Sequence, residues 1–155
     1  MNDQDELSQV IKMLIVDEET VSRLYHLYSQ KFENSDFWSH LSVDESIHAQ
    51  WIGSLSQYQD QIMVDTSRFT VAVLSTFKEY LDRKIAEVNK VSLLPALAIC
   101  TDIERALIER YYYKVLKSDS VEVQKIFGEL QKAEEQHLLA AEQELNRIKT
   151  SKNVV

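Results

Sequence analysis

Glycine and proline are nearly missing from this sequence, which has only Gly53, Gly128 and Pro95 among 155 residues. Tight turns must therefore be rare and regular elements long. Cysteine is as scarce. A lone Cys100 builds no internal disulfide, and without a CxxC pair there is no thiolate metal site. The expected compartment is a reducing cytoplasm, and Cys100, within "ALAICTDIE", reads as a small core residue. No apolar run is long enough to span a bilayer, and the opening "MNDQDELSQV" is too acidic and polar for a secretory signal. No cluster of Lys and Arg offsets a formal net charge of −8. That balance argues against a nucleic-acid backbone as partner, while cations are drawn toward the chain.

What the sequence does have is helical periodicity. Charged residues make up 27% of the chain, and apolar ones recur every three or four positions, which selects an all-α fold. One segment runs from about Asp5 to Phe32, with Leu7, Ile11, Leu14, Val21, Tyr25, Tyr28 and Phe32 on one seam. The position missing from that seam is Glu18. "ENSDFW" supplies a turn, with Ser35 or Asp36 as the helix cap. A second seam follows through Trp38, Leu41, Glu45, His48, Ile52 and Leu55, ending near "QYQDQIMVD". From Thr66 to Val91 a third periodic stretch carries no acid or histidine on its seam and reads as a connecting helix. Ser92 can cap the next segment, where Pro95 is tolerated in the first turn. Its seam is Leu94, Leu97, Thr101, Glu104, Ile108, Tyr111 and Val115. "KSDSVE" breaks it, with Asp119 and Glu122 resembling a capping box. The final seam holds Val123, Phe127, Leu130, Glu134, His137, Ala141, Leu145 and Ile148, and "KTSKNVV" reads as a frayed tail. No linker or boundary divides residues 1–155, so a single domain is expected.

The chemistry lies in the polar residues that interrupt these apolar seams. "DESIHAQW" places Glu45 and His48 three apart, and "AEEQHLLAAE" repeats the device with Glu134 and His137. Residues three apart share a helix face. Either pair alone also fits a solvated surface pair. The order across the chain is harder to dismiss: Glu18, then Glu45-x-x-His48; Glu104, then Glu134-x-x-His137. Tyr25 and Tyr111 each follow their lone glutamate by seven residues, so the two halves form a weak internal repeat. Four ionised carboxylates inside a core would oppose folding unless cations compensate them. Two divalent cations balance four carboxylates and two neutral imidazoles. Mixed oxygen and imidazole ligation suits iron or manganese better than calcium or structural zinc. Two such cations about 3.5–4 Å apart can hold a dioxygen or peroxide unit between them.

The pattern carried by "DESIHA" and "EEQHLLAAEQEL" resembles the ferritin-like di-iron carboxylate proteins, in particular small rubrerythrin-like and bacterioferritin-like members. The resemblance implies a ferritin-like four-helix bundle with a long helical crossover between the second and third bundle helices. It also implies two iron ions, with Glu18 and Glu104 as terminal ligands, Glu45 and Glu134 as bridging ligands, and His48 and His137 as imidazole ligands. The implied activity is an oxidoreductase of peroxidase or ferroxidase type, acting on hydrogen peroxide, dioxygen or ferrous iron. No protein group beyond the metal ligands is needed for catalysis. Iron binding or storage without turnover, or a structural module with a vestigial site, are the other readings. The chain departs from rubrerythrins in having no rubredoxin CxxC motifs, so electrons must come from an external donor. Leu107 stands where rubrerythrins carry an extra carboxylate, and His137 where one may have Glu. Ser46 replaces the haem-binding Met of bacterioferritins, so no haem is expected, and the absence of a fifth apolar helix argues against a ferritin cage.

Around this set, Tyr25 and Tyr111 can hydrogen-bond the ligands or donate electrons near them, or simply pack in the core. Asp44 can orient a ligating histidine or face solvent. Glu19 and Glu135 neighbour Glu18 and Glu134 and replace them if a seam is shifted by one residue. His26 and His40 lie off the seams and read as surface residues. Trp51 reads as core or interface, and Tyr112 and Tyr113 can serve a homodimer contact.

Overall fold

A computed structural model describes residues 2–64, 71–110 and 116–152, with side chains at 109 and 110 excepted. Its elements are helical: α1 Asp3–Lys31, α2 Ser35–Ser54, α3 Val71–Ala86, α4 Leu93–Arg110 and α5 Val121–Lys152. Two 3-10 turns, Leu55–Gln61 and Val88–Lys90, extend α2 and close α3. No described helix is long and apolar enough to cross a membrane.

The helices begin and end where backbone chemistry dictates, in places one residue from the sequence expectation. The Asn2 side chain accepts the Asp5 N–H and starts α1. α2 opens at Ser35, so Asn34 holds the cap position expected of Ser35 or Asp36. Asn34 instead uses its side chain between helices: it accepts from Trp38 Nε1 at 2.9 Å and donates to Glu144 at 2.8 Å. At α5 the cap is Ser120 rather than Asp119, because the Ser120 hydroxyl accepts the Val123 N–H and donates to Glu122. The supposed frayed tail is helical as far as Lys152, the seam residue Ile148 being buried in the last turns.

The connecting stretch is α3 from Val71, and its upstream part, 65–70, lies outside the described residues. An antiparallel two-residue ladder, unforeseen in an all-helical reading, pairs Met63 with Lys117 and Val64 with Leu116. It joins the chain leaving α2 to the chain entering α5, so those helix ends share one end of the molecule. At the other end, Lys31 Nζ donates to the carbonyls of Val88 and Val91 at 2.6 and 2.5 Å. α3 packs against α1 and buries Leu74, Phe77 and Leu81.

α1 packs along α2, and α4 along α5. Small residues set the α1–α2 approach: Ser22 Oγ donates to the Ser42 carbonyl at 2.7 Å, and Ser42 Oγ to the Ser22 carbonyl at 2.8 Å. Glu18 and Glu45 lie one turn from this clasp, which brings their backbones together. Arg105 and Glu142 pair at 2.9 Å across α4 and α5. One core runs through the molecule, including Leu14, Leu24, Trp38, Ile52, Leu81, Leu97, Leu107 and Leu130. Burying each such side chain contributes about 1.5–3 kcal/mol, and this apolar burial carries the cost of the polar group at its centre.

Candidate metal centre

Glu18, Glu45, His48, Glu104, Glu134 and His137, carried on four helices, sit inside that core. Glu45, Glu104 and Glu134 have no solvent exposure, Glu18 and His48 have 2%, and His137 has 6%. Buried carboxylates at this density are rare because each costs several kcal/mol to desolvate. Every helix carrying them obeys its apolar seam, so the acids are placed inside by the same periodicity that buries their leucine and valine neighbours.

Their contacts form one network. His48 Nδ1 lies 2.9 Å from Glu134 Oε1 and 3.2 Å from Glu45 Oε2. His137 Nδ1 lies 2.7 Å from Glu45 Oε1, 3.3 Å from Glu134 Oε2 and 3.6 Å from Glu104 Oε2. The rings stack with centroids 5.2 Å apart. Each glutamate of a Glu-x-x-His pair thus serves the histidine of the other pair as well as its own. One ligand atom from each of Glu45, His48, Glu134 and His137 falls within 4.8 Å of the others, close enough to hold a metal ion. Glu18 joins through a hydrogen bond to the Glu45 carboxyl. Glu104 joins through Tyr25, whose hydroxyl donates to Oε1 at 2.7 Å.

Burial and hydrogen bonding shift these groups in opposing senses. Burial alone would lower His48, but hydrogen bonds to Glu134 and Glu45 raise it from 6.5 to about 10. His137, opposed by burial in the same way, is raised further by Glu104, Glu134 and Glu45. Geometry says the same of His137. Its Nδ1 faces Glu45 while its Nε2 lies 3.1 Å from Asp44 Oδ2. A neutral ring has one N–H, so both contacts are hydrogen bonds only in the imidazolium. Burial raises Glu45, yet hydrogen bonds from His137, His48 and Glu18 outweigh it and hold the carboxyl well below its usual range. Glu104 is pushed well up, first by burial and then by the charges of Glu45 and Glu134. The buried carboxylates and imidazoles thus balance one another's charge through hydrogen bonds, and four of them stand close enough to hold a metal ion.

The other sequence expectations divide clearly. Asp44, half exposed, sits behind His137 as an orienting carboxylate would. Tyr25 is buried as expected, but it bonds Glu104 on α4 rather than Glu18 on its own helix. Tyr111, Tyr112 and Tyr113 lie outside the described residues. Glu19 and Glu135 are exposed, so the seams are phased on Glu18 and Glu134. His26 and His40 are exposed, as expected of surface residues. Trp51 is 37% exposed, not core, and its ring lies 5.4 Å from that of His48.

Cys100 gains a neighbourhood that periodicity could not supply: it is fully buried beside Tyr25 and Glu104. Burial and the nearby Glu104 carboxyl push its thiol well up, so it stays protonated. Its place one turn before Glu104 on α4 was the only sequence signal for this contact. Comparison with family models, curated proteins and solved structures found no match.

Proposed function

We propose that this chain is a ferritin-like four-helix bundle of α1, α2, α4 and α5, with α3 as its crossover. In this reading it is a di-iron oxidoreductase of a reducing cytoplasm that consumes hydrogen peroxide or dioxygen. The observation that carries the proposal is the convergence of four buried carboxylates and two buried imidazoles, drawn from four helices, on one another. The donor set fits two divalent cations in charge and chemistry: four carboxylates neutralise them, and each imidazole offers Nδ1. Manganese fits the same donors.

Glu45, His48, Glu134 and His137 would hold the cations, with Glu18 and Glu104 completing the set. Bound iron would supply the one-electron changes that reduction of an O–O bond requires. The chain's own residues do the rest. Asp44 keeps the His137 Nε2 proton in place, so Nδ1 is the nitrogen that turns inward. Tyr25 fixes the Glu104 carboxyl through Oε1 and leaves Oε2 facing the site. Val21, Leu41, Ile52, Leu107 and Leu130 are buried within one turn of the ligands and exclude bulk water, Leu107 taking the inward place on α4 that the seam gave to the half-buried Ile108.

The test is anaerobic titration of metal-free protein with ferrous iron, followed by repeated additions of peroxide with a reductant present. Binding of two irons per chain and sustained peroxide loss are expected. A single oxidation followed by arrest would assign the protein to iron binding without turnover. Failure of any divalent metal to bind would sink the reading.

A further inference from the structure

The two tryptophans have opposite settings. Trp38 has no exposure and packs against Tyr25, Tyr28 and Phe37. Trp51 is 37% exposed, one turn after His48 on α2, and its ring is tilted 34° against the imidazole at 5.4 Å. His48 is itself 2% exposed and reaches Glu45 and Glu134 through Nδ1. One aromatic ring therefore touches solvent on one side and a candidate ligand on the other. Two exposed apolar side chains share its helix face: Val43 and Ile47 precede Trp51 at four-residue intervals on α2, 58% and 36% exposed. A solvated rim position has no packing need for the largest apolar side chain, and a leucine or lysine would cover His48 as well.

Electrons for a buried di-iron site must enter through the surface of the helices that enclose it. Electron transfer falls off steeply with distance and passes more readily through contacting π systems than across a gap. We propose that Trp51 is the entry point for electrons, which pass from an external one-electron donor across the indole and the adjacent His48 imidazole into the site. This deepens the reading under Proposed function and rests on it. The step balances simply: the donor loses one electron and one ferric ion becomes ferrous. No bond forms or breaks at Trp51, and no proton need cross it. The exposed stripe of Val43, Ile47 and Trp51 lets a donor come into van der Waals contact with the indole edge. Trp38 offers no such contact, because solvent does not reach it.

The experiment compares the wild-type chain with Trp51→Leu and Trp51→Phe, each loaded with iron, oxidised by peroxide and matched for iron content. Hexaammineruthenium(II), an outer-sphere one-electron donor, is then mixed in, and loss of the ferric absorbance is followed by stopped flow. Reduction of Trp51→Leu should be an order of magnitude slower than wild type, with Trp51→Phe between them. A second readout needs no turnover. In metal-free protein the iodide-quenchable tryptophan emission belongs to Trp51, and that same fraction should be lost when cobalt(II) binds. Equal reduction rates in the wild-type and Leu chains, both holding iron, would overturn electron entry at Trp51 and leave the metal site standing. Absence of iron in the wild-type chain would overturn both.

Discussion

Supplying divalent cations to the metal-free protein should raise its thermal stability by an amount that can be worked out in advance. A ligand that binds only the folded state contributes RT ln(1 + [L]/Kd), about 2.7 kcal/mol for one site at a hundredfold excess over Kd. For a chain of 155 residues each kcal/mol moves Tm by roughly 2–4 °C, so one cation should shift it by about 5–11 °C. A second cation of equal affinity would roughly double the shift. Glu45 is the residue on which this response should depend most, because both histidines and Glu18 converge on it. Glu45→Gln keeps the shape and removes the charge. In the metal-free protein it breaks buried pairs, a loss of roughly 3–5 kcal/mol, limited because the imidazoles can then shed their protons. The informative quantity is the increment on adding cobalt(II) or manganese(II), measured by calorimetry: large in wild type, nearly absent in Glu45→Gln. An equal increment in the two proteins would mean that the cations bind elsewhere, and the electrostatic argument for the site would fail.

Further outcomes follow from the same geometry. His48, raised to about 10, contributes stability that is fully present below its ordinary 6.5 and lost as pH rises through about 10. Metal-free protein should therefore lose Tm from pH 7 to 10. Cation affinity should change in the opposite sense, strengthening with pH as the Nδ1 protons of His48 and His137 compete less, and titration calorimetry in buffers of different ionisation enthalpy would count the protons released. On the acid side, the lowered Glu45 contributes stability present above 4.5 and lost as pH falls toward its folded value, so urea midpoints should fall below pH 4. Tyr25→Phe removes the 2.7 Å donor to a buried carboxyl, and urea unfolding should show a loss of roughly 1–3 kcal/mol. Asp44→Asn, at a half-exposed position, should leave urea stability nearly unchanged yet weaken cation binding by about 10–100-fold, read from competition with a chelating dye.

Much of the architecture was legible from spacing. Seam positions at intervals of three and four place Glu18, Glu45, His48, Glu104, Glu134 and His137 inside, and all six are buried. The near absence of Gly and Pro correctly implied long helices, among them α1 and α5 at 29 and 32 residues. Local details were harder, because neighbouring polar residues compete for one cap. At α5, Asp119 and Ser120 both suit the N-cap, and the choice depends on which side chain reaches the Val123 N–H. The two-residue ladder is invisible in the sequence because four residues of strand leave no periodic signal.

By itself the sequence determined which side chains turn inward, since burial on a helix follows from period alone and period is written residue by residue. It also determined the local pairs Glu45–His48 and Glu134–His137, whose members share a helix face whatever the helix packs against. Only the tertiary structure decided the pairings across helices. His137 lies against Glu45 from 92 residues away, Tyr25 donates to Glu104 rather than to Glu18, and Asp44 stands behind His137. It also left Trp51 open to solvent beside a buried imidazole. Such contacts depend on the axial offset and rotation of one helix against another, set by packing such as the Ser22–Ser42 clasp, and no period within a single helix records them.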